Sequence, residues 1–125
     1  MIDDVLRELR RHPLQVPVRL ALMLLLSTKG AVEFGRAAST LGVKPGTLWH
    51  HVKRLEEEGY VRMRRGITIH GPRTLLEATE KGVRETMNYL RLLQRLLSLG
   101  GGGVVLQDSS SGGVGPRQAL QPFHR

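Results

Sequence analysis

Cysteine is absent from the 125 residues. That excludes a disulfide framework, a thiolate metal site, a cysteine nucleophile and a thiol redox sensor. Aromatic residues are scarce at 4%, so a core has to be built from Leu, Val, Ile, Met and Ala. Long hydrophobic runs are missing as well. The longest, Leu20 to Leu26, is seven residues, against the roughly 20 that a membrane span needs. The opening Met1-Ile2-Asp3-Asp4 lacks the basic-then-apolar order of a secretion signal. A cytoplasmic protein with no membrane partner is expected. Acids are the last shortage: eleven Asp and Glu stand against nineteen Lys and Arg, a net charge of +8.

That excess is the most informative bulk property. Fifteen of the nineteen cations are Arg, whose planar fork suits phosphates and guanine edges. A GC-rich genome or a hot habitat would also raise Arg, so composition favours a polyanionic partner without proving one.

The chain divides near residue 100. Gly, Ser and Pro fill twelve of positions 100–125, with no period of two or 3.6 among the apolar residues there. Such a segment cannot bury enough surface to offset its ordering entropy, and a disordered tail is expected. Residues 1–99 form the folded domain, with a core at 14–78. Ile2, Val5, Leu6 and Leu9 make one helical stripe, ended by His12-Pro13. Pro17 opens a second helix that is apolar from Val18 to Ser27 and so expected to be enclosed by others. A short extended piece, Ala31 to Phe34, precedes a two-turn helix from Gly35 to Leu41, closed by Gly42. A further helix runs from Pro45 to Glu58. The stretch Tyr60 to Arg65 alternates as a half-buried strand does. Gly66 is expected to end it, before a second extended stretch from Ile67 to Ala78 that Gly71-Pro72 breaks. Thr79 starts a last helix ending at Leu99.

On a helical wheel, Leu48, Val52 and Leu55 cluster as a buried stripe. Opposite it lie Gly46, His50, Lys53 and Glu57, with Thr47 and Arg54 beside them and Lys44 just ahead; Trp49 and His51 sit on the flanks. A helix about 10–12 Å across fits the major groove of B-DNA. Glu56, Glu57 and Glu58 then mark where it leaves the groove. Two helices joined by a three-residue turn with glycine read as a helix-turn-helix. Arg62, Arg64, Arg65 and Arg73 follow within twelve residues with no acid among them, a basic hairpin suited to phosphates or the minor groove.

Several segments resemble winged-helix transcriptional regulators related to the MarR and ArsR groups. Leu14-Gln15-Val16-Pro17-Val18-Arg19-Leu20 is similar to their opening, and Phe34-Gly35-Arg36-Ala37-Ala38 to the start of their second helix. Pro45 through Val61 resembles their recognition helix and first wing strand, and Thr47 to Val61 is the most specific block. Gly71-Pro72-Arg73-Thr74 and Ala78-Thr79-Glu80-Lys81-Gly82 resemble the end of the wing and the start of the last helix. The resemblance spans roughly residues 14–82. It implies an α+β, mostly helical fold in which Lys44, Thr47, Trp49, His50, Lys53 and Arg54 face DNA. Arg64, Arg65 and Arg73 become wing contacts, and His51 becomes structural. Two departures stand out: Gly35 where a serine or acidic cap is usual, and bulky Trp49 where a small polar residue is commoner.

His50 and His51 point about 100° apart on a helix, so they do not share an ion as an i, i+4 pair does. No metal, cofactor or catalytic group is expected. On the last helix Val83, Met87, Leu90, Leu93 and Leu97 form one stripe, and Leu92, Leu96 and Leu99 widen it beyond what one small domain can cover. The first and last helices are therefore expected to pair within and between two subunits, with Leu6, Leu9, Leu90, Leu93 and Leu97 at the interface. The expectation is a homodimeric regulator reading an inverted repeat in double-stranded DNA. A protein-contact module of a transcription complex and a non-specific nucleoid binder are the other classes. No residue points to an effector ligand.

Overall fold

Proline and glycine set most boundaries. The computed structural model describes residues 1–100; the tail expected beyond Leu99 lies, apart from Gly100, outside them. Helix α1 (Ile2–Arg11) has Asp3 and Asp4 in its first turn and stops at His12, extended as the residue before a proline prefers. His12 Nδ1 accepts a hydrogen bond from the Leu14 N–H at 3.1 Å, capping the single turn Pro13–Gln15. Pro17 is the first residue of α2 (Pro17–Lys29), where its missing N–H costs nothing.

Strand β1 (Val32–Glu33) leads directly into α3 (Phe34–Leu41). Gly42 then takes left-handed angles, φ 68° and ψ 32°, which a residue without Cβ adopts freely. Helix α4 (Pro45–Glu57), the hairpin β2 (Val61–Thr68) and β3 (Gly71–Ala78), and α5 (Glu80–Gly100) complete the order. The sheet is antiparallel, β1-β3-β2, with Val32 opposite Leu76 and β2 in register with β3 from Val61–Ala78 to Thr68–Gly71.

Helix α2 is the hub, touching α3, α4, α5 and β3. Leu22, Met23 and Leu26 are buried with Leu14, Leu48, Val52, Leu55 and Leu76. Burying each such side chain stabilises the fold by about 1.5–3 kcal/mol. Enclosure of α2 is one-sided, however, because Leu24 stays 40% exposed. Among the described residues no helix is long and apolar enough to cross a membrane.

One expectation is corrected, and the inward face of α5 is set, by close approaches that sequence periodicity does not register. Gly66 does not end β2; the strand runs on to Thr68, and the turn falls at Ile69-His70. A Cβ at Gly66 would run into the Leu75 side chain, so this glycine serves packing across the hairpin. Helix α5 turns only part of its apolar surface inward. Its buried line runs through Gly82, Thr86, Tyr89 and Leu92, whereas Val83, Met87 and Leu97 are 40%, 46% and 51% exposed. Gly82 decides this, because its bare Cα lies against the Tyr60 carbonyl and sets which side of the helix meets the core. Thr79 holds the same junction: its Oγ1 donates to the Gly59 carbonyl at 2.6 Å and accepts from the Gly82 N–H at 2.9 Å. As expected, α1 folds back onto α5.

Candidate nucleic-acid interface

Helix α4 is anchored by Leu48, Val52 and Leu55, all with no exposed surface. That stripe fixes the rotation of the helix, and the opposite side projects outward. Lys44, Thr47, Trp49, His50, Lys53 and Arg54 are all exposed. Thr47, His50, Lys53 and Arg54 share the side opposite the stripe, Trp49 stands on its flank and Lys44 is the cap residue. The trailing glutamates have a role the sequence did not suggest. Glu56 holds Lys53 at 2.9 Å and Glu58 holds Arg54 at 3.0 Å. Such exposed pairs add little stability, but they limit the positions of two cationic tips. Trp49 packs edge-on against Phe34, centroids 5.9 Å apart, while Lys53 Nζ lies 5.5 Å from its ring centre. It remains 45% exposed.

The departure noted at Gly35 resolves at the start of α3. The helix begins at Phe34, and acidic Glu33 occupies the cap position without making a side-chain cap bond. Its carboxylate turns instead to Arg73 at 3.4 Å.

His51 proves to be a structural group. Its Nδ1 accepts from Arg19 Nε at 3.1 Å, and Arg19 also donates to the Pro13 carbonyl at 3.2 Å. One guanidinium thus ties α2 and the Pro13–Gln15 turn to α4. Arg19 lies inside the segment that resembles the family's opening, but nothing in that stretch gives it a role; the meeting of α2 and α4 reveals it. Burial, then the Arg19 and His50 charges, hold the His51 imidazole below its ordinary value of 6.5. The unfolded chain consequently binds this proton at higher pH than the folded one, so stability falls as pH drops below about 7. His51→Gln keeps an acceptor for Arg19 but does not titrate. Urea midpoints measured from pH 8 to 5.5 are expected to decline less steeply in this variant than in the native chain.

The hairpin is less cationic than its sequence. No acid lies among its arginines along the strand, but the register places Glu77 opposite Arg62. Glu77 binds both Arg62 and Arg64 at 3.0 Å. Hydrogen bonds from Arg64 and then Arg62 hold its carboxyl below the usual range. With Arg73 on Glu33, Arg65 is the one wing arginine without an acidic partner among the described residues; it reaches only Thr74 Oγ1 at 3.5 Å. Of the three expected wing contacts, then, Arg65 is free and Arg64 and Arg73 are partnered. Arg65→Ala is expected to reduce the slope of log affinity against log salt by about 0.9 per subunit, as loss of one phosphate contact does. Arg64→Ala is expected to change it by less than half as much. Mobility shifts from 50 to 200 mM salt separate the two.

Helix α4 and the hairpin share a border. Phe34, Trp49, Arg65, Pro72, Arg73 and Thr74 line a cleft of about 330 Å³ between α3, α4 and the strands. A helix-turn-helix followed by an antiparallel hairpin, with an outward polar helix beside the hairpin, defines a winged helix. The chain belongs to the Winged helix DNA-binding domain family, whose model matches residues 18–97.

An uncharacterized protein of Methanocaldococcus jannaschii is 32% identical over 73 residues, 58% of this chain and 79% of that one. A transcriptional regulator homologue protein from Pyrococcus horikoshii OT3 matches in structure with a TM-score of 0.72 at 30% identity, over 81% of this chain and 99% of that one. CouR, a transcriptional repressor solved bound to a 23-mer DNA duplex, matches with a TM-score of 0.62 at 19% identity, over 76% of this chain and 66% of that one. MarR-family regulators share the same fold, in line with the MarR side of the resemblance.

Proposed function

We propose that this protein is a transcription regulator that recognises a specific inverted repeat in double-stranded DNA as a homodimer. The observation that carries the reading is the outward row on α4. Thr47, His50, Lys53 and Arg54 present a hydroxyl, an imidazole and two cations on one side of a helix whose other side is locked into the core. Varied donors and acceptors read base edges, whereas a uniform cationic face would bind only phosphate. CouR, of the same fold, was solved on a duplex, which supports the same use here.

The homodimer rests on the outer helices. Leu6 on α1 and Val83, Met87 and Leu97 on α5 are 40% or more exposed, and the two helices pack together. Leu90 is half-buried, and Leu9 and Leu93 lie against the subunit's own core, so Leu6 and Leu97 are the stronger interface residues. A second subunit covering this face would set two reading helices about 34–36 Å apart.

Selection of bound duplexes from a random pool, with sedimentation of the free chain, tests both parts. The expected outcome is twice the chain mass and an inverted repeat with half-sites about one turn apart. Salt-dependent binding without a preferred sequence would make the protein a non-specific binder. Failure to retain any duplex would leave the protein-contact reading.

A further inference from the structure

Among the described residues, the two most exposed large apolar side chains both stand at the tip of the wing. Ile69 is 94% exposed and Ile67 is 81% exposed. Turns are ordinarily built from Gly, Asn, Asp, Ser or Pro, and nothing in the fold uses an isoleucine at this tip. Side chains at alternate positions share one face of a strand. Met63, Arg65 and Ile67 therefore make one row running outward from the core, and Ile69 follows in the turn just beyond Thr68. Met63 packs on the core, and Arg65 borders the cleft it shares with Trp49 of the reading helix. Pro72 lies opposite Ile67 in the hairpin, adding to the apolar point. Residues 65–74 contain no acid and carry Arg65, Arg73 and His70 around it.

The reach is suited to DNA. Ile69 lies four positions beyond Arg65, the last of them in the turn, a reach of up to about 13 Å. Neighbouring major and minor grooves lie roughly half a helical repeat apart, about 17 Å. With α4 in the major groove, a wing anchored at its flank ends at the adjacent minor groove. Apolar wedges are inserted between base steps there, opening and kinking the duplex. Resting on the DNA-binding reading above, we propose that Ile69, backed by Ile67, is such a wedge, with Arg65 holding the flanking phosphate.

The test uses the full chain and a duplex carrying its selected site, labelled at both ends for energy transfer, so that binding and bending are read separately. The native protein is expected to shorten the end-to-end distance. Ile69→Ala is expected to keep the native unfolding temperature, lose about half of the shortening and bind several-fold more weakly. Ile69→Lys adds a cation at the tip, yet is expected to straighten the duplex just as far. A native complex that stays straight, or variants that bend DNA as the native protein does, would overturn the wedge while leaving DNA binding intact. A native chain that retains no duplex at all would remove the DNA-binding reading and the wedge together.

Discussion

Gly82→Ala is expected to destabilise the fold by about 3 kcal/mol, at the upper end of overpacking costs. In an unstrained helix the same change would stabilise by about 1 kcal/mol through helix propensity, so the sign itself is diagnostic. A Cβ at this position meets the Tyr60 carbonyl and lies 2.9 Å from the Met23 methyl. The methyl can swing aside. The carbonyl cannot, because it accepts the Thr79 N–H at 2.9 Å and belongs to a residue whose ring is buried. Relief requires α5 to lift from the junction that joins it to the end of α4 and the start of the wing. Urea unfolding and a fall in melting temperature of about 15 °C would report it. Gly35→Ala is the control: it lies in α3 with nothing within 4 Å of its would-be Cβ, and should leave stability unchanged or slightly raised. If Gly82→Ala proved as stable as the native chain, the packing described for α5 would be wrong.

His50→Ala and Arg54→Ala are each expected to weaken binding to the preferred duplex by about 1–3 kcal/mol, if each reads a base pair. That corresponds to roughly 5- to 150-fold. Scrambled duplexes should lose far less, because only phosphate contacts are made there. Arg54 already has Glu58 as a partner, so its change combines loss of a contact with release of that acid; His50 gives the cleaner number. One turn apart on the same helix, the two sites are close enough to couple, and the double variant should fall short of the sum. Mobility shifts on preferred and scrambled duplexes, with Arg65→Ala alongside, give the contrast: the helix variants erode preference, whereas the wing variant lowers both affinities together.

The parts of this fold that were legible in the sequence are those governed by neighbours in the chain. Pro17, Gly42 and Pro45 set helix boundaries locally, and the Leu48, Val52 and Leu55 stripe gave the rotation of α4 and hence its outward face. What stayed hidden depends on register and long-range approach. Gly66 looks like a turn residue until Leu75 is seen across the hairpin. The arginines of β2 look unopposed until pairing brings Glu77 against them. The leucine count on α5 shows surplus apolar surface, but Gly82 against Tyr60 decides which residues turn inward. Arg19 and His51 meet from positions 32 residues apart, beyond the range of any periodicity.

The chain contains a single tryptophan, and Trp49 stands half exposed on the flank of α4. Iodide quenching of its fluorescence, followed while a labelled duplex is titrated to saturation, tests most directly whether this face enters the groove. Quenching should fall sharply in step with binding, and should do so less on a scrambled duplex held by phosphate contacts alone. Unchanged quenching on a fully saturated preferred duplex would show that the protein holds DNA with some other surface.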